Sequence, residues 1–98
     1  HLSHRQLNYH HLHYFWAVAK EGNLTRVAEQ LHVSQSALSA QIRQLEGQIG
    51  HDLFLREGRG LKLTAVGRVV LNYAENIFAI GQEMIEAVSA GEGQKLQR

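Results

Sequence analysis

Apolar residues recur every three or four positions along most of this chain, and this spacing predicts a mainly α-helical fold. The first helix should follow Asn8, which can cap it, and should run to about Lys20 before Gly22 ends it. We expect one face of this helix to be buried, with a stripe of Leu12, Phe15, Trp16 and Ala19.

Two more helices joined by a tight turn are predicted before Gly50. The first runs from a cap at Asn23 to about His32, and the second spans roughly residues 35–49 behind a cap at Ser34. The second carries an apolar stripe of Leu38, Ile42 and Leu45. The polar residues that lie off this stripe are Gln35, Ser36, Ser39 and Gln41. Such a helix suits the floor of the DNA major groove, so the pattern indicates a helix-turn-helix.

The pattern changes after the third helix, where two short runs with apolar residues, 53–56 and 61–64, flank a glycine-rich turn. Gly58 and Gly60 enclose Arg59 in this turn, an arrangement typical of a tight β-hairpin. We expect a two-stranded wing, so that residues 7–64 form a winged helix-turn-helix of three helices plus the wing.

A long final helix is predicted over residues 65–90, with Thr64 as its cap. Its apolar residues follow alternating steps of four and three, a seven-residue repeat. They are Val66, Val70, Tyr73, Ile77, Ile80, Met84 and Ala87. A helix on the order of 39 Å long with so narrow a seam favours pairing with a second copy of the chain. The alternatives are packing on the chain's own body or on a further domain.

The composition fits one helical domain, because 44% of the 98 residues are hydrophobic. The absence of cysteine excludes disulfides and thiolate metal sites and fits a cytoplasmic protein. No apolar run approaches the length of a membrane span, so no membrane partner is expected. Residues 91–98 are polar with two glycines and are expected to be frayed or to begin a linker.

The net charge of +1 is low for a nucleic-acid-binding protein. Residues 1–33 and 34–62 contribute +1 each, and residues 63–98 contribute −1. Composition alone therefore does not indicate DNA binding, and the low charge predicts few phosphate contacts per subunit.

The order of these parts resembles the N-terminal DNA-binding domain of LysR-type transcriptional regulators. The resemblance covers about residues 7–90. The matching residues are Phe15, Val18, Ala19, 23–31 (NLTRVAEQL), 34–39 (SQSALS), 41–46 (QIRQLE), Gly50, Leu53, Phe54, Arg56, 58–64 (GRGLKLT) and Gly67. Within the family, the chain is similar to the branch containing the sodium-responsive activator of a bacterial sodium/proton antiporter gene. The residues that carry this similarity are 8–9, 11–12, 14–16, 20–22, Phe78 and 82–84.

This resemblance implies a domain that dimerises through the long linker helix, and a tetramer is possible in the full-length protein. It also implies a two-lobed effector-binding domain that this chain lacks, with residues 91–98 at the start of the linker to it. The chain departs from the common pattern at Ser36, where many members have proline, and at Ala40, where a larger polar or basic residue is frequent. Both positions lie on the part of the helix that is expected to contact DNA bases, so the operator sequence cannot be inferred from those of relatives.

Gln35 and Ser39 are the first candidates for contacts with DNA bases. A carboxamide can pair with adenine through one donor and one acceptor, and a hydroxyl can serve several bases. Ser36 and Ala40 are also expected to face DNA, with Ala40 limited to apolar contacts such as a thymine methyl. The alternative is that Gln35 and Ser39 are ordinary solvated helix residues.

Thr25, Ser34 and Arg43 are candidate phosphate contacts, which would set the register of the protein on DNA without reading its sequence. For Ser34, capping its helix and presenting the helix N-terminus to a phosphate are compatible roles. For Arg43, the alternative is a surface ion pair with Glu46 or Glu29.

The wing adds three cationic candidates. Arg59 at its tip is expected, from the resemblance, to enter the minor groove, and narrow A-T-rich minor grooves attract arginine. Without the resemblance, Arg59 would be interpreted as a solubilising turn residue. Arg56 and Lys62 are weaker candidates for phosphate contacts.

His10, His11 and His13 lie close together, but no further set of ligands has suitable spacing, so neither a metal nor another cofactor is expected. Nothing in the sequence indicates the side-chain constellation of an enzyme. The leading hypothesis is sequence-specific binding of double-stranded DNA by a homodimer, as the operator-reading domain of a bacterial transcriptional regulator. The alternative is a helical module for protein–protein interaction or dimerisation, which the low net charge leaves open.

Overall fold

The computed structural model describes residues 6–57 and 60–93, and these contain the predicted elements in the predicted order. They are α1 (Tyr9–Glu21), α2 (Leu24–Leu31), α3 (Gln35–Ile49), β1 (Phe54–Glu57), β2 (Gly60–Leu63) and α4 (Ala65–Gly93). The mainly helical, winged architecture with a long final helix is therefore confirmed.

Local capping sets the ends of the first three helices. Asn8 Oδ1 accepts hydrogen bonds from the backbone N–H groups of His10 and His11, at 2.9 and 3.1 Å. Gly22 and Gly50 end α1 and α3 with φ values of +76° and +86°, a conformation that favours glycine. These boundaries agree with the predicted ones, except that α2 ends at Leu31, one residue before the predicted His32, which is its left-handed C-cap.

The core lies between the first three helices and extends to the wing and α4. Its buried apolar residues are Leu12, Phe15, Val18, Val27, Ala28, Leu38, Ile42, Leu45, Leu53, Phe54 and Ala74. The prediction that Trp16 and Ala19 are buried is wrong, because both lie half-buried at the edge of this core. There the Trp16 ring packs against Phe78 of α4, with 5.4 Å between ring centroids.

The wing is an antiparallel pair in which Phe54 faces Leu63 and Glu57 faces Gly60. Both strands are shifted by one residue from the predicted runs. At the end next to α4 the ladder stops short of Leu53 and Thr64, because the Leu53 N–H binds the Glu46 carboxylate and the Thr64 carbonyl accepts from Arg68 N. Thr64 donates its N–H to the Leu53 carbonyl at 3.0 Å, and its Oγ1 caps α4 by accepting from Gly67 N at 2.8 Å.

α4 continues to Gly93 rather than ending near residue 90. A glycine costs only about 1 kcal/mol relative to alanine inside a helix, so Gly91 does not have to end one. On its inner face, α4 contacts the body of the domain through the buried Gly67 and Ala74. An ion pair between Lys20 Nζ and Glu75 Oε2, at 2.6 Å, also joins α1 to α4, and this hydrogen bond lowers the pKa of Glu75.

The chain's own core covers part of the predicted seam of α4, so the seam is not exposed along its whole length. Val66, Val70 and Ile77 are half-buried and pack against the core of their own chain. The others are exposed: Tyr73, Ile80, Met84 and Ala87. The covered residues lie in the first half of α4, where the body of the domain packs against the helix, and four residues of the repeat remain exposed.

Candidate nucleic-acid interface

The first half of α3 presents a polar surface to solvent. Gln35, Ser36 and Ala40 are exposed and Ser39 is half-buried. The stripe on the other side of the helix, formed by Leu38, Ile42 and Leu45, is buried against the core. The four candidate base-contacting residues of α3 are therefore accessible, and packing of the apolar stripe fixes the direction in which they point.

A cleft of about 370 Å³ lies where α2, α3 and the wing meet. Its lining residues are Gly22, Asn23, Leu24, Thr25, Gln35, Ser39, Ile42, Phe54, Gly60 and Leu61. The cleft brings the phosphate candidate Thr25 to the same surface as the base candidates Gln35 and Ser39. The first turn of α2, the first half of α3 and the second wing strand thus form one concave face.

Ser34 caps α3, as predicted, because its Oγ accepts a hydrogen bond from Ala37 N at 3.0 Å. The Ser36 hydroxyl lies 3.3 Å from Ser34 Oγ, within hydrogen-bond distance. The sequence did not indicate this pairing of hydroxyls. Since a hydroxyl has one donor and two acceptor positions, Ser36 retains capacity for a further partner.

The cationic candidates differ in what surrounds them. Arg43 is exposed, and in the described part of the chain it forms no ion pair. The alternative pairing with Glu46 is excluded because Glu46 is buried and binds backbone N–H groups instead. Lys62 is exposed on β2, whereas the Arg56 side chain and the whole of Arg59 lie outside the described residues.

Two polar residues of this region have roles that were not predicted from the sequence. Arg26, next to Thr25, donates from Nη1 to Glu21 Oε2 at 3.2 Å and so ties the start of α2 to the end of α1. Glu46 is only 8% exposed, and its Oε2 accepts from Leu53 N at 2.8 Å. Its position four residues after Ile42, on the buried side of α3, was the available signal for Glu46.

Two alternative kinds of site find no support in the described residues. His13 packs against the rings of Trp16 and Phe78, and no three potential metal ligands gather anywhere in residues 6–57 and 60–93. Over the same residues, no helix combines the length and hydropathy needed to cross a membrane.

Residues 9–68 match the family model for the bacterial regulatory helix-turn-helix proteins of the lysR family. The chain is 41% identical over 88 residues to the transcriptional activator protein NhaR of Escherichia coli, covering 90% of this chain and 29% of that protein. It is 48% identical over 86 residues to the RuBisCO operon transcriptional regulator of Allochromatium vinosum, covering 88% of this chain and 26% of that protein. The chain thus spans less than a third of the length of these relatives.

Solved structures with the same fold include complexes with DNA. The BenM_DBD/catB site 1 DNA complex superposes with a TM-score of 0.82 at 31% identity, covering 88% of this chain and 96% of the other. The CbnR_DBD–DNA complex superposes with a TM-score of 0.79 at 35% identity, covering 88% of this chain and 99% of the other.

Proposed function

Since this chain belongs to the LysR family of bacterial regulatory helix-turn-helix proteins, we propose that it binds double-stranded DNA sequence-specifically, as the operator-reading domain of a transcriptional regulator. The observation that carries the proposal is the exposed polar first half of α3 beside the buried stripe of the same helix. The site of action is the bacterial cytoplasm, where the DNA lies, and the proposal includes no catalytic step.

In this proposal α3 enters the major groove, which at about 12 Å wide admits one helix. Gln35 and Ser39 contact base edges, with Ser36 and Ala40 beside them. Contacts to phosphates come from Thr25, Ser34, Arg43, Arg56 and Lys62. The concave face between α2, α3 and β2 supports this arrangement, because a convex DNA backbone can follow it while α3 lies in the groove. Arg59 is proposed to enter the adjacent minor groove.

We expect Gln35→Ala to reduce the discrimination between a selected duplex and a scrambled duplex by roughly 5- to 150-fold, since one bidentate base contact contributes about 1–3 kcal/mol. The selected duplex comes from a random pool bound by the wild-type domain, and affinities come from fluorescence anisotropy. Gln44→Ala is the matched control, because Gln44 is an exposed glutamine on the later part of α3. Equal wild-type binding of both duplexes would contradict sequence reading and favour the protein–protein interaction module.

Arg43→Ala should weaken binding to selected and scrambled duplexes by the same factor. Its guanidinium is exposed and is proposed to neutralise one phosphate. The slope of log affinity against log salt concentration should fall by about 0.9 for each bound subunit. Arg43→Lys keeps the charge and should keep the wild-type slope. If Arg43→Ala left the slope unchanged, Arg43 would not contact a phosphate.

The domain is further proposed to act as a homodimer through an exposed α4 stripe, defined as Val69, Tyr73, Ile80, Met84 and Val88. Each of these residues is between 51% and 66% exposed. An exposed row of large apolar side chains on a helix of 29 residues favours a partner that covers it.

Two pairs of residues in the exposed α4 stripe are placed symmetrically about its middle, and Ile80 lies just beyond that middle. Val69 and Val88 are equally far along the chain from the midpoint between residues 78 and 79. Tyr73 and Met84 are also equidistant from it. Such a stripe can face a second copy running in the opposite direction, the arrangement that a two-fold axis perpendicular to the helix produces. The two winged domains would then lie toward opposite ends of paired helices about 43 Å long, suited to successive major grooves roughly 34–36 Å apart. A tetramer in the full-length protein remains a proposal.

A further inference from the structure

The segment from Asp52 to Phe54, which leads into the wing, is held from one side by the end of α3. Glu46 Oε2 accepts hydrogen bonds from Leu53 N at 2.8 Å and from Phe54 N at 3.3 Å. Glu46 and both of its partners are buried. Breaking either of these hydrogen bonds would be costly, because it would leave a buried polar group with neither a protein partner nor water to bind.

The same segment is held from the other side by the start of α4. Thr64 Oγ1 donates to the Asp52 carbonyl at 2.7 Å, and Thr64 N donates to the Leu53 carbonyl at 3.0 Å. Thr64 Oγ1 also accepts a hydrogen bond from Gly67 N, so the same residue caps α4 and binds the segment. The N–H groups of residues 53–54 therefore point to α3, and the carbonyls of residues 52–53 point to α4.

This segment links two helices that make little direct contact with each other. α1 packs on both α3 and α4, whereas few residues of α3 and α4 approach one another. The contacts of α4 with α1 are apolar packing and one exposed ion pair, Lys20–Glu75, and these permit small rotations. Hydrogen bonds to consecutive backbone groups constrain direction more strongly. The bonded segment is consequently a directional connection between the helix proposed to read DNA and the helix proposed to pair with a second copy.

We infer that Glu46 and Thr64 are positioning residues that set the angle between α3 and α4, and thereby the separation of the two half-sites that a dimer can bind. The inference rests on the proposed DNA-binding dimer. Rotating α4 by about 10° moves a point about 20 Å along it by roughly 3.5 Å, close to the 3.4 Å between successive base pairs. Loss of the hydrogen bonds made by either residue should therefore let the dimer bind half-sites whose separation differs by one base pair.

The test measures binding of the chain to its selected duplex and to duplexes with one base pair added or removed between the half-sites. The wild type should lose roughly tenfold or more in affinity on either change, because a whole half-site moves out of register. Glu46→Ala should reduce this penalty to about threefold or less. Glu46→Gln should largely keep the penalty, because its amide oxygen can still accept both N–H groups. Glu29→Gln, at an exposed position of α2, controls for loss of charge.

Thr64→Ala is the second variant, because it releases the segment from the α4 side while leaving Glu46 in place. It should relax the spacing preference in the same direction, and Thr64→Ser should restore it. Circular dichroism identifies the variants that are folded at the assay temperature. An unchanged spacing penalty in folded Glu46→Ala or folded Thr64→Ala would overturn the inference. Failure of the wild type to prefer any duplex would instead overturn the proposed function.

Discussion

Replacing Gly67 with alanine should lower the free energy of unfolding by about 1–3 kcal/mol, the usual range for forcing a methyl group into a closed site. A Cβ at this position would lie 2.2 Å from the Leu53 carbonyl oxygen and 3.0 Å from Leu63 Cδ2. The carbonyl cannot move aside easily, because it accepts the hydrogen bond from Thr64 N. The start of α4 must therefore shift away from the wing, which strains the Thr64 contacts at the same time.

Thermal unfolding followed by circular dichroism measures this effect, since 1 kcal/mol corresponds to about 4–8 °C in a domain of this size. Gly47→Ala is the matched control. Gly47 lies within α3, and a Cβ there would meet nothing within 4 Å. That control should raise the midpoint, because alanine stabilises a helix interior by about 0.5–1 kcal/mol relative to glycine. Equal stabilisation by both substitutions would show that α4 does not approach Leu53 as closely as described.

The positions of the first three helices could be predicted because the signals that fix them are local. Asn8, Ser34 and Gly50 each act on backbone groups within four residues along the chain. The polar face of α3 could be predicted for a related reason, since a buried stripe leaves the remaining side chains of the helix exposed. Whether those side chains contact bases remains a prediction.

The start of the wing could not be predicted to the residue, because a distant contact determines it. Glu46 binds the N–H groups of Leu53 and Phe54, seven and eight residues later. Thr64 takes part in capping α4 and in binding residues 52–53, which removes it from the strand. An apolar pattern carries no information about such side-chain-to-backbone bonds.

Which apolar residues of α4 are covered by the chain itself could likewise not be predicted from the sequence pattern. A seven-residue repeat shows that a helix has an apolar stripe, but it does not show which body covers each residue. Ile77 and Ile80 belong to the same repeat, yet Ile77 packs on its own chain while Ile80 is 64% exposed. That difference determines which substitution can test dimerisation without disturbing the fold.

Ile80→Asp should convert the proposed dimer into monomers and lower the affinity for a two-half-site duplex by roughly 10²- to 10⁴-fold, the usual gain from linking two binding modules. Near the centre of an antiparallel helix pair, two aspartates would be desolvated close to each other. The same change at Ile77 would place a charge against the core. The subunit could then unfold, and unfolding could not be distinguished from dissociation of the dimer. Because Ile80 is exposed, its replacement should leave the fold of each subunit within about 0.5 kcal/mol of wild type.

Sedimentation equilibrium gives the mass of the variant in solution, and anisotropy titrations with one and with two half-sites give its affinities. Ser89→Asp adds the same charge at an exposed position on the opposite side of α4 from Ile80, and should remain dimeric. Ile80→Asp should also lose the advantage of two half-sites over one, because a monomer engages only one at a time. A variant that stays dimeric with full affinity would place the interface between subunits elsewhere. A monomeric variant that still prefers two half-sites would separate DNA reading from pairing through α4.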